Sequence, residues 1–230
     1  MYVLGLDTAT AIASVGIASV RGAVVERSVI MTGSHASTLL PLIDDVLSAA
    51  ALRLRDLTRI AVSIGPGSFT GLRIGLSVAK GLAVATGLPL SGVPTLEAYA
   101  HAVGPCDGTV WPVLDARKGE VYAAAYRWRH GEPICAQTAI AVTAADLVAR
   151  LQGPCTLVGD GVDAYAARWA TAPGVIELIP LARRPPSGAV VALRGMETAG
   201  SPLAALEPMY CRAAEAEVHR QRRLAELSTG

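Results

Sequence analysis

The stretch Ile60-Ala61-Val62-Ser63-Ile64-Gly65-Pro66-Gly67-Ser68-Phe69-Thr70-Gly71-Leu72-Arg73-Ile74-Gly75 reads as a strand, a glycine-rich loop and the start of a helix. Ile60 to Ile64 is a short apolar run with β-branched residues, and a loop rich in Gly and Pro ends it. From Gly71 to Thr86 no Pro interrupts, and Gly71, Gly75, Ala79 and Ala83 recur every four residues. That spacing puts minimal side chains in one stripe, which lets another backbone come close. Leu72, Ile74, Leu76, Val78, Leu82 and Val84 make the helix apolar nearly all round, with Arg73 and Lys80 its only charges. A helix without a wide polar face must be covered on most sides.

The pattern extends outward on both sides. Residues 2–7, 12–18 and 23–30 read as three short strands joined by tight turns, which suits antiparallel hairpins. A helix is expected over 37–54, where Leu39, Leu42, Val46 and Ala50 form one stripe and Leu40, Ile43, Leu47 and Ala51 the next. Two adjacent apolar stripes exceed what packing on one sheet face requires. Either the two helices sandwich each other inside the fold or they share a partner surface. Downstream, a strand over 88–93 leads to Pro94, which can open a further helix. The second half restates the order more loosely, with paired strands at 110–115 and 120–127, a helix at 143–152, a strand at 156–158 and a helix at 187–198. Two related lobes, 1–104 and 105–210, are expected to meet near Gly104-Pro105, followed by a tail over 211–230 that is helical or disordered. Alternating strands and helices of this kind define the α/β class.

Composition bounds the function. The chain of 230 residues is 52% hydrophobic and 17% charged, with a net charge of +1 and one Phe. Such a chain builds a core and carries no overall field toward nucleic acid or a membrane. The segment 72–93 is broken by Arg73, Lys80 and Pro89, so it is no bilayer span. The chain opens directly on Met1-Tyr2-Val3-Leu4-Gly5-Leu6-Asp7 with no basic n-region, from which a cytoplasmic protein is expected. Cys106, Cys135, Cys155 and Cys211 show no CxxC pair and read as scattered buried thiols.

Features that can carry chemistry are few. Asp7 ends a strand and is followed by Thr8, Ala9 and Thr10. An acid in that place either holds a metal beside a phosphate or organises a hairpin turn. The 65–71 loop feeds a helix N-terminus, where N–H groups and the helix dipole favour anions. Its spacing misses GxGxxG by one residue, no GK[ST] follows, and no acid stands between Asp56 and Glu97. A packing turn and a phosphate cradle over Gly65, Gly67 and Ser68 therefore both stay open. Ser68 lacks the GxSxG context of a nucleophile, and His35, His101, His130 and His219 form no HxxxH pair. Asp115 and Glu120, at the ends of adjacent strands, pair as acid and base or cap a turn. His219, Arg220, Arg222 and Arg223 stand near Glu215, Glu217 and Glu226, either a solvated helix or a contact for nucleic-acid phosphates.

The run from Gly65 to Gly75 resembles the signature of the TsaB (YeaZ) family. Leu6-Asp7-Thr8-Ala9-Thr10, Leu39-Leu40-Pro41-Leu42-Ile43-Asp44, Leu114-Asp115-Ala116-Arg117-Lys118-Gly119-Glu120-Val121-Tyr122 and Pro208-Met209-Tyr210-Cys211-Arg212 resemble further blocks of that family, in its order. The resemblance implies an actin/sugar-kinase-like (ASKHA) fold of two RNase-H-like lobes. It implies a subunit without its own catalytic site that dimerises with a TsaD-like threonylcarbamoyltransferase, joined by a TsaE-like ATPase. Together they make N6-threonylcarbamoyladenosine beside the anticodon of tRNA, and tRNA is met through the complex. A homodimer is also implied. The implied interface lies on the two N-terminal-lobe helices, with Leu39, Leu42, Val46, Gly71, Arg73, Gly75, Ala79, Lys80 and Ala83 as its residues. No metal and no cofactor are expected, ATP or ADP entering only at the interface shared with the partner. There Asp7, Thr8, Gly65, Gly67 and Ser68 are the candidate phosphate contacts. The rival expectation is a small ASKHA ATPase or kinase using Asp7, the 65–71 loop and Asp115.

Overall fold

In the computed structural model, residues 1–31 and 35–211 are described. The chain opens with β1 (Tyr2–Asp7), β2 (Ile12–Ser19) and β3 (Gly22–Ile30), followed by α1 (His35–Ala49), a 3-10 turn (Leu54–Asp56), β4 (Arg59–Gly65), α2 (Phe69–Thr86), β5 (Leu90–Pro94) and α3 (Thr95–Val103). The second half comprises β6 (Thr109–Arg117), β7 (Glu120–Arg129), β8 (Glu132–Thr143), α4 (Ala144–Val148), β9 (Cys155–Val158), α5 (Asp160–Ala164), α6 (Ala166–Trp169), β10 (Val175–Ile179) and α7 (Gly188–Glu197).

The two sheets have the same plan. Their strand orders are β3-β2-β1-β4-β5 and β8-β7-β6-β9-β10. In each, the first three strands are antiparallel and the last two run parallel to the first. This repeated mixed sheet with flanking helices is the α/β architecture expected of an ASKHA fold.

Side chains alternate across each strand, so each sheet needs cover on both faces. On the first sheet, Leu4, Leu6, Val15, Ile17, Ile60 and Val62 point to one side, where they pack with Leu39, Val46, Leu76, Ala79 and Ala83 of α1 and α2. Val3, Ala18 and Ala61 point to the other side and meet Val191 and Ala192 of α7. The second sheet is covered likewise, by α4 and α6 through Leu147 and Trp169 on one face. On its other face Leu96, Tyr99 and Ala100 of α3 meet Val110 and Leu114. The helix that closes each half thus lies on the sheet of the other half. Glycine permits the close fit of α7: a Cβ on Gly5 would fall 2.0 Å from Gly188 O, and one on Gly16 2.3 Å from Ala189 N.

Several expected bounds shift. The helix expected over 37–54 ends at Ala49, because Ala51 turns left-handed at φ 54° and a separate 3-10 turn follows. The helix expected over 143–152 is the short α4. β8 and β10 were not read from the sequence: β8 is a half-exposed edge strand with weak alternation, and β10 is only five residues long. Cys155 is buried, Cys135 is exposed and Cys106 and Cys211 are half-buried, all four as free thiols, so the expectation of buried thiols holds fully only for Cys155. Among the described residues no helix is long and apolar enough to cross a membrane. The basic tail cluster of His219, Arg220, Arg222 and Arg223 lies outside the described residues.

Candidate functional site

β1 delivers Asp7 to the junction of the two halves. Its side chain is buried, and Oδ1 accepts a 2.9 Å bond from Ala9 N, closing the turn that starts the β1–β2 hairpin. Among the described residues Oδ2 finds no hydrogen-bond partner. Burial pushes the carboxyl up to about 6, against the Ala9 N–H and the nearby Ser63 hydroxyl, which pull it down; the charge of Glu26 pushes further up. Ser63 Oγ and Tyr99 OH, both buried in the same region, also lack partners. The Tyr99 phenol is raised well above its ordinary value by burial, then by the charges of Asp7 and Asp160.

The 65–71 loop packs directly on that hairpin turn. Ser68 N donates to Ala9 O at 2.7 Å, Gly65 N to Thr95 Oγ1 at 3.0 Å, and Gly71 N to Ser68 Oγ at 3.2 Å. Ser68 is therefore the N-cap of α2, a structural use of its hydroxyl. A Cβ on Gly67 would lie 2.5 Å from Ala9 O, and one on Gly71 2.0 Å from Thr8 O. Thr8 Oγ1 donates to Gly71 O at 2.8 Å. These glycines make room for the chain's own backbone. The N–H groups of Gly65, Ser68 and Gly71 are thus taken within the chain, and the loop packs on the hairpin turn beside the enclosed Asp7.

The small-residue stripe of α2 is turned inward as well. Gly71, Gly75, Ala79 and Ala83 are buried, with Thr8 of the β1–β2 turn against the first two. Leu39 and Val46 are likewise buried, and Leu42 and Lys80 are half-buried. The close approach allowed by the stripe is to this chain's own strand, so these positions do not form an outer face. The exposed residues of α2 are Phe69, Thr70, Arg73, Ser77, Gly81, Val84 and Ala85, with Val84 72% exposed, and Leu40 of α1 is also outward.

At its N-terminal end this face gains residues that sequence reasoning did not place there. Phe69 and Tyr210 are stacked with ring centroids 5.3 Å apart, and Arg73 lies over the Phe69 ring. The block from Pro208 to Arg212, the last of which lies outside the described residues, was recognised only as a resemblance, with no signal of where it docks.

In the second half, Asp115 is committed to local structure. Its Oδ1 accepts from Arg117 N at 2.8 Å and from Tyr165 OH at 2.9 Å, and Arg117 pairs with Oδ2. The Tyr165 hydroxyl also reaches Glu120 O. Asp115 N in turn donates to Asp160 Oδ1, whose carboxyl burial holds above its ordinary range. This is turn capping, the structural one of the two readings of Asp115 and Glu120. Among the described residues no group of three His, Cys, Asp or Glu side chains is placed to hold a metal ion.

Two like-ordered sheets, exchanged closing helices and an acid at the first hairpin turn define an ASKHA-type protein. Ethanolamine utilization protein EutJ from Carboxydothermus hydrogenoformans shares this fold, with a TM-score of 0.54 at 14% identity over 84% of this chain and 89% of that one. YeaZ from Pseudomonas aeruginosa matches with a TM-score of 0.76 at 27% identity, covering 91% of this chain and 99% of that one. The tRNA threonylcarbamoyladenosine biosynthesis protein TsaB of Bacillus subtilis is 27% identical over 94% of this chain and 96% of its own length. TsaB of Escherichia coli is 39% identical over 57% of this chain and 60% of its own length. The family model for TsaD, tRNA N6-adenosine threonylcarbamoyltransferase, matches residues 29–167. The chain belongs to that family and, within it, to the TsaB (YeaZ) group.

Proposed function

We propose that this protein is a partner subunit in the threonylcarbamoyladenosine modification of tRNA, one that dimerises with and activates a TsaD-type threonylcarbamoyltransferase and has no catalytic site of its own. It works in the cytoplasm, with a TsaE-type ATPase as the third component. It meets tRNA through the complex, and nucleotide only at the shared interface. A homodimer would use the same face.

The observation that carries the reading is the outward face of α2. Ser77, Gly81, Val84 and Ala85 are exposed there beside half-buried Ile74 and Val78. Small and apolar groups of this kind are ill suited to water when contiguous and well suited to helix-on-helix docking. The acids support the same reading: buried Asp7 and half-buried Asp115 each accept hydrogen bonds that tie them into turns.

The test reconstitutes tRNA modification with and without the chain, and follows co-elution with the TsaD-type subunit. Ala79 and Ala83 are inside the fold, so the variants are Ser77→Arg and Val84→Arg on the exposed face. Both are expected to keep the melting temperature and to lose co-elution and modification. Undiminished complex and modification in both would refute the proposal. The rival reading, a small ATPase or kinase, draws on the unpartnered Asp7 Oδ2, and calorimetric ATP binding with Mg²⁺ that Asp7→Ala abolishes would favour it.

A further inference from the structure

The segment that ends at Cys211 returns to the start of α2. Met209 N donates to Ile64 O at 2.6 Å, and a Cβ on Gly65 would lie 2.5 Å from Met209 O. That close pass sets Tyr210 beside the first turn of α2. Arg73 Nε donates to Tyr210 OH at 3.0 Å, Arg73 Cζ stands 4.0 Å from the centroid of Phe69, and the Phe69 and Tyr210 rings stack at 29°. One guanidinium is thus held by a hydrogen bond and by an aromatic face. Both rings remain open, Phe69 at 39% and Tyr210 at 41% exposure, and this Phe is the only one in the chain.

An arginine carries five N–H donors. Here one is used, and among the described residues no carboxylate pairs with Arg73. No Asp or Glu occurs in α2, so its face is cationic without internal compensation. A surface that docks on this helix has to remove water from the guanidinium, and that is favourable only if it brings an anion. Holding the side chain in advance lowers the ordering cost of binding, and stacked Arg with Tyr or Phe is the usual composition of an interface hot spot.

Resting on the function proposed above, we propose that Phe69, Arg73 and Tyr210 form a clasp that receives a carboxylate of the TsaD-type partner. The planar fork of Arg73 makes a paired contact with that carboxylate, Phe69 packs against the apolar surface around it, and Tyr210 holds the guanidinium in plane. The Met209–Ile64 contact makes the returning segment part of the docking surface.

The test measures affinity of the full chain for the TsaD-type subunit by calorimetry at two salt concentrations, with light scattering for self-association and filter binding of tRNA to the assembled complex. Arg73→Gln is expected to weaken subunit binding by about tenfold or more, the range for a central interface arginine. Arg73→Lys keeps charge but loses the plane and the stack, and should weaken it by about fivefold. Tyr210→Phe loses only the hydrogen bond, for about threefold. All three should keep the melting temperature of the isolated chain, and Arg73→Gln should flatten the salt dependence. Arg73→Gln binding like wild type overturns the clasp. So does Arg73→Lys binding like wild type, which leaves a bare point charge. Unchanged subunit affinity with weakened tRNA retention, or with weakened self-association, reassigns the patch to RNA or to a second copy and overturns the proposal. A wild-type chain that does not bind the subunit refutes the proposed function and this inference with it; a wild-type chain that binds while the variants bind equally refutes this inference alone.

Discussion

Gly75 and Gly81 sit in the same helix, and replacing each by Ala should move stability in opposite directions. In a helix interior the substitution is favourable by about 1 kcal/mol, because Ala loses less backbone entropy. At Gly81 a new Cβ meets nothing within 4 Å, so Gly81→Ala should realise that gain of about 1 kcal/mol. At Gly75 the Cβ would lie 2.2 Å from Thr8 Oγ1 and 3.3 Å from Thr8 Cβ. Thr8 is buried, and its hydroxyl is committed to Gly71 O at 2.8 Å, so it has no free rotamer into solvent. Displacing that hydroxyl leaves a buried polar group unpaired, at about 1–3 kcal/mol, and the overlap adds about 1–3 kcal/mol more. Set against the helix gain, Gly75→Ala should lose about 1–5 kcal/mol. For a chain of this size each kcal/mol moves the midpoint by about 2–4 °C, so the two variants should melt about 4–24 °C apart. Thermal and urea unfolding of the isolated chain read the difference. In a Thr8→Ala background, where the clashing hydroxyl is absent, Gly75→Ala should be nearly neutral. Equal stabilisation at both positions would refute the inward placement of the α2 stripe, and with it the assignment of the outward face.

Asp7 predicts a pH effect. Its folded-state pKa of about 6 lies above the ordinary 3.8, so the folded chain binds more protons than the unfolded one between those values and stability falls as pH rises through that window. Asp7→Asn should therefore be more stable than wild type at pH 7.5, by up to about 3 kcal/mol for a shift of roughly two units, and should match it below pH 4; an Asn variant no more stable at pH 7.5 contradicts this. Glu26 Oε1 accepts from Ser187 Oγ, Ala189 N and Ser14 Oγ at 2.8, 3.0 and 3.1 Å, so it sits at the N-terminus of α7. Glu26→Gln should cost about 1–2 kcal/mol in urea unfolding, where an unchanged midpoint would count against the cap. Arg194, 17% exposed, joins Glu97, Glu132 and Glu197, and its replacement by Met gathers three carboxylates without a cation. Because the three carboxylates are partly exposed and screened by water, a loss of about 1–3 kcal/mol is expected, partly recovered in high salt, and a salt-independent loss would point to packing instead.

The N-terminal hairpins, the 65–71 loop and α2 were legible because each has a short-range signal: alternation, glycine punctuation, or helical spacing. The ASKHA fold followed from the resemblance those segments carry. Which way the α2 stripe faces was not legible, since Gly71, Gly75, Ala79 and Ala83 suit a neighbouring strand as well as a second protein. The exchange of α3 and α7 was hidden for a related reason. Strands such as β1, with Val3, Leu4 and Leu6 all buried, announce two covered faces but not which helix covers each. Tyr210 was recognised in a motif, yet its contact with Arg73 spans 137 residues of chain, and no local pattern encodes that. Asp7 was legible as an acid at a strand end; that it is buried beside Ser63 and Tyr99 was not, since nothing in the sequence marks those two.

The exchange of closing helices also sets an order of events during synthesis. Strands β1 to β5 are complete by residue 94, but the cover for one face of their sheet ends at Glu197. On the ribosome, where chains emerge at about 5–20 residues per second, that face waits several seconds for a helix that is still untranslated. A nascent chain of this design needs an interim cover, supplied by a chaperone or by its own unfinished second half.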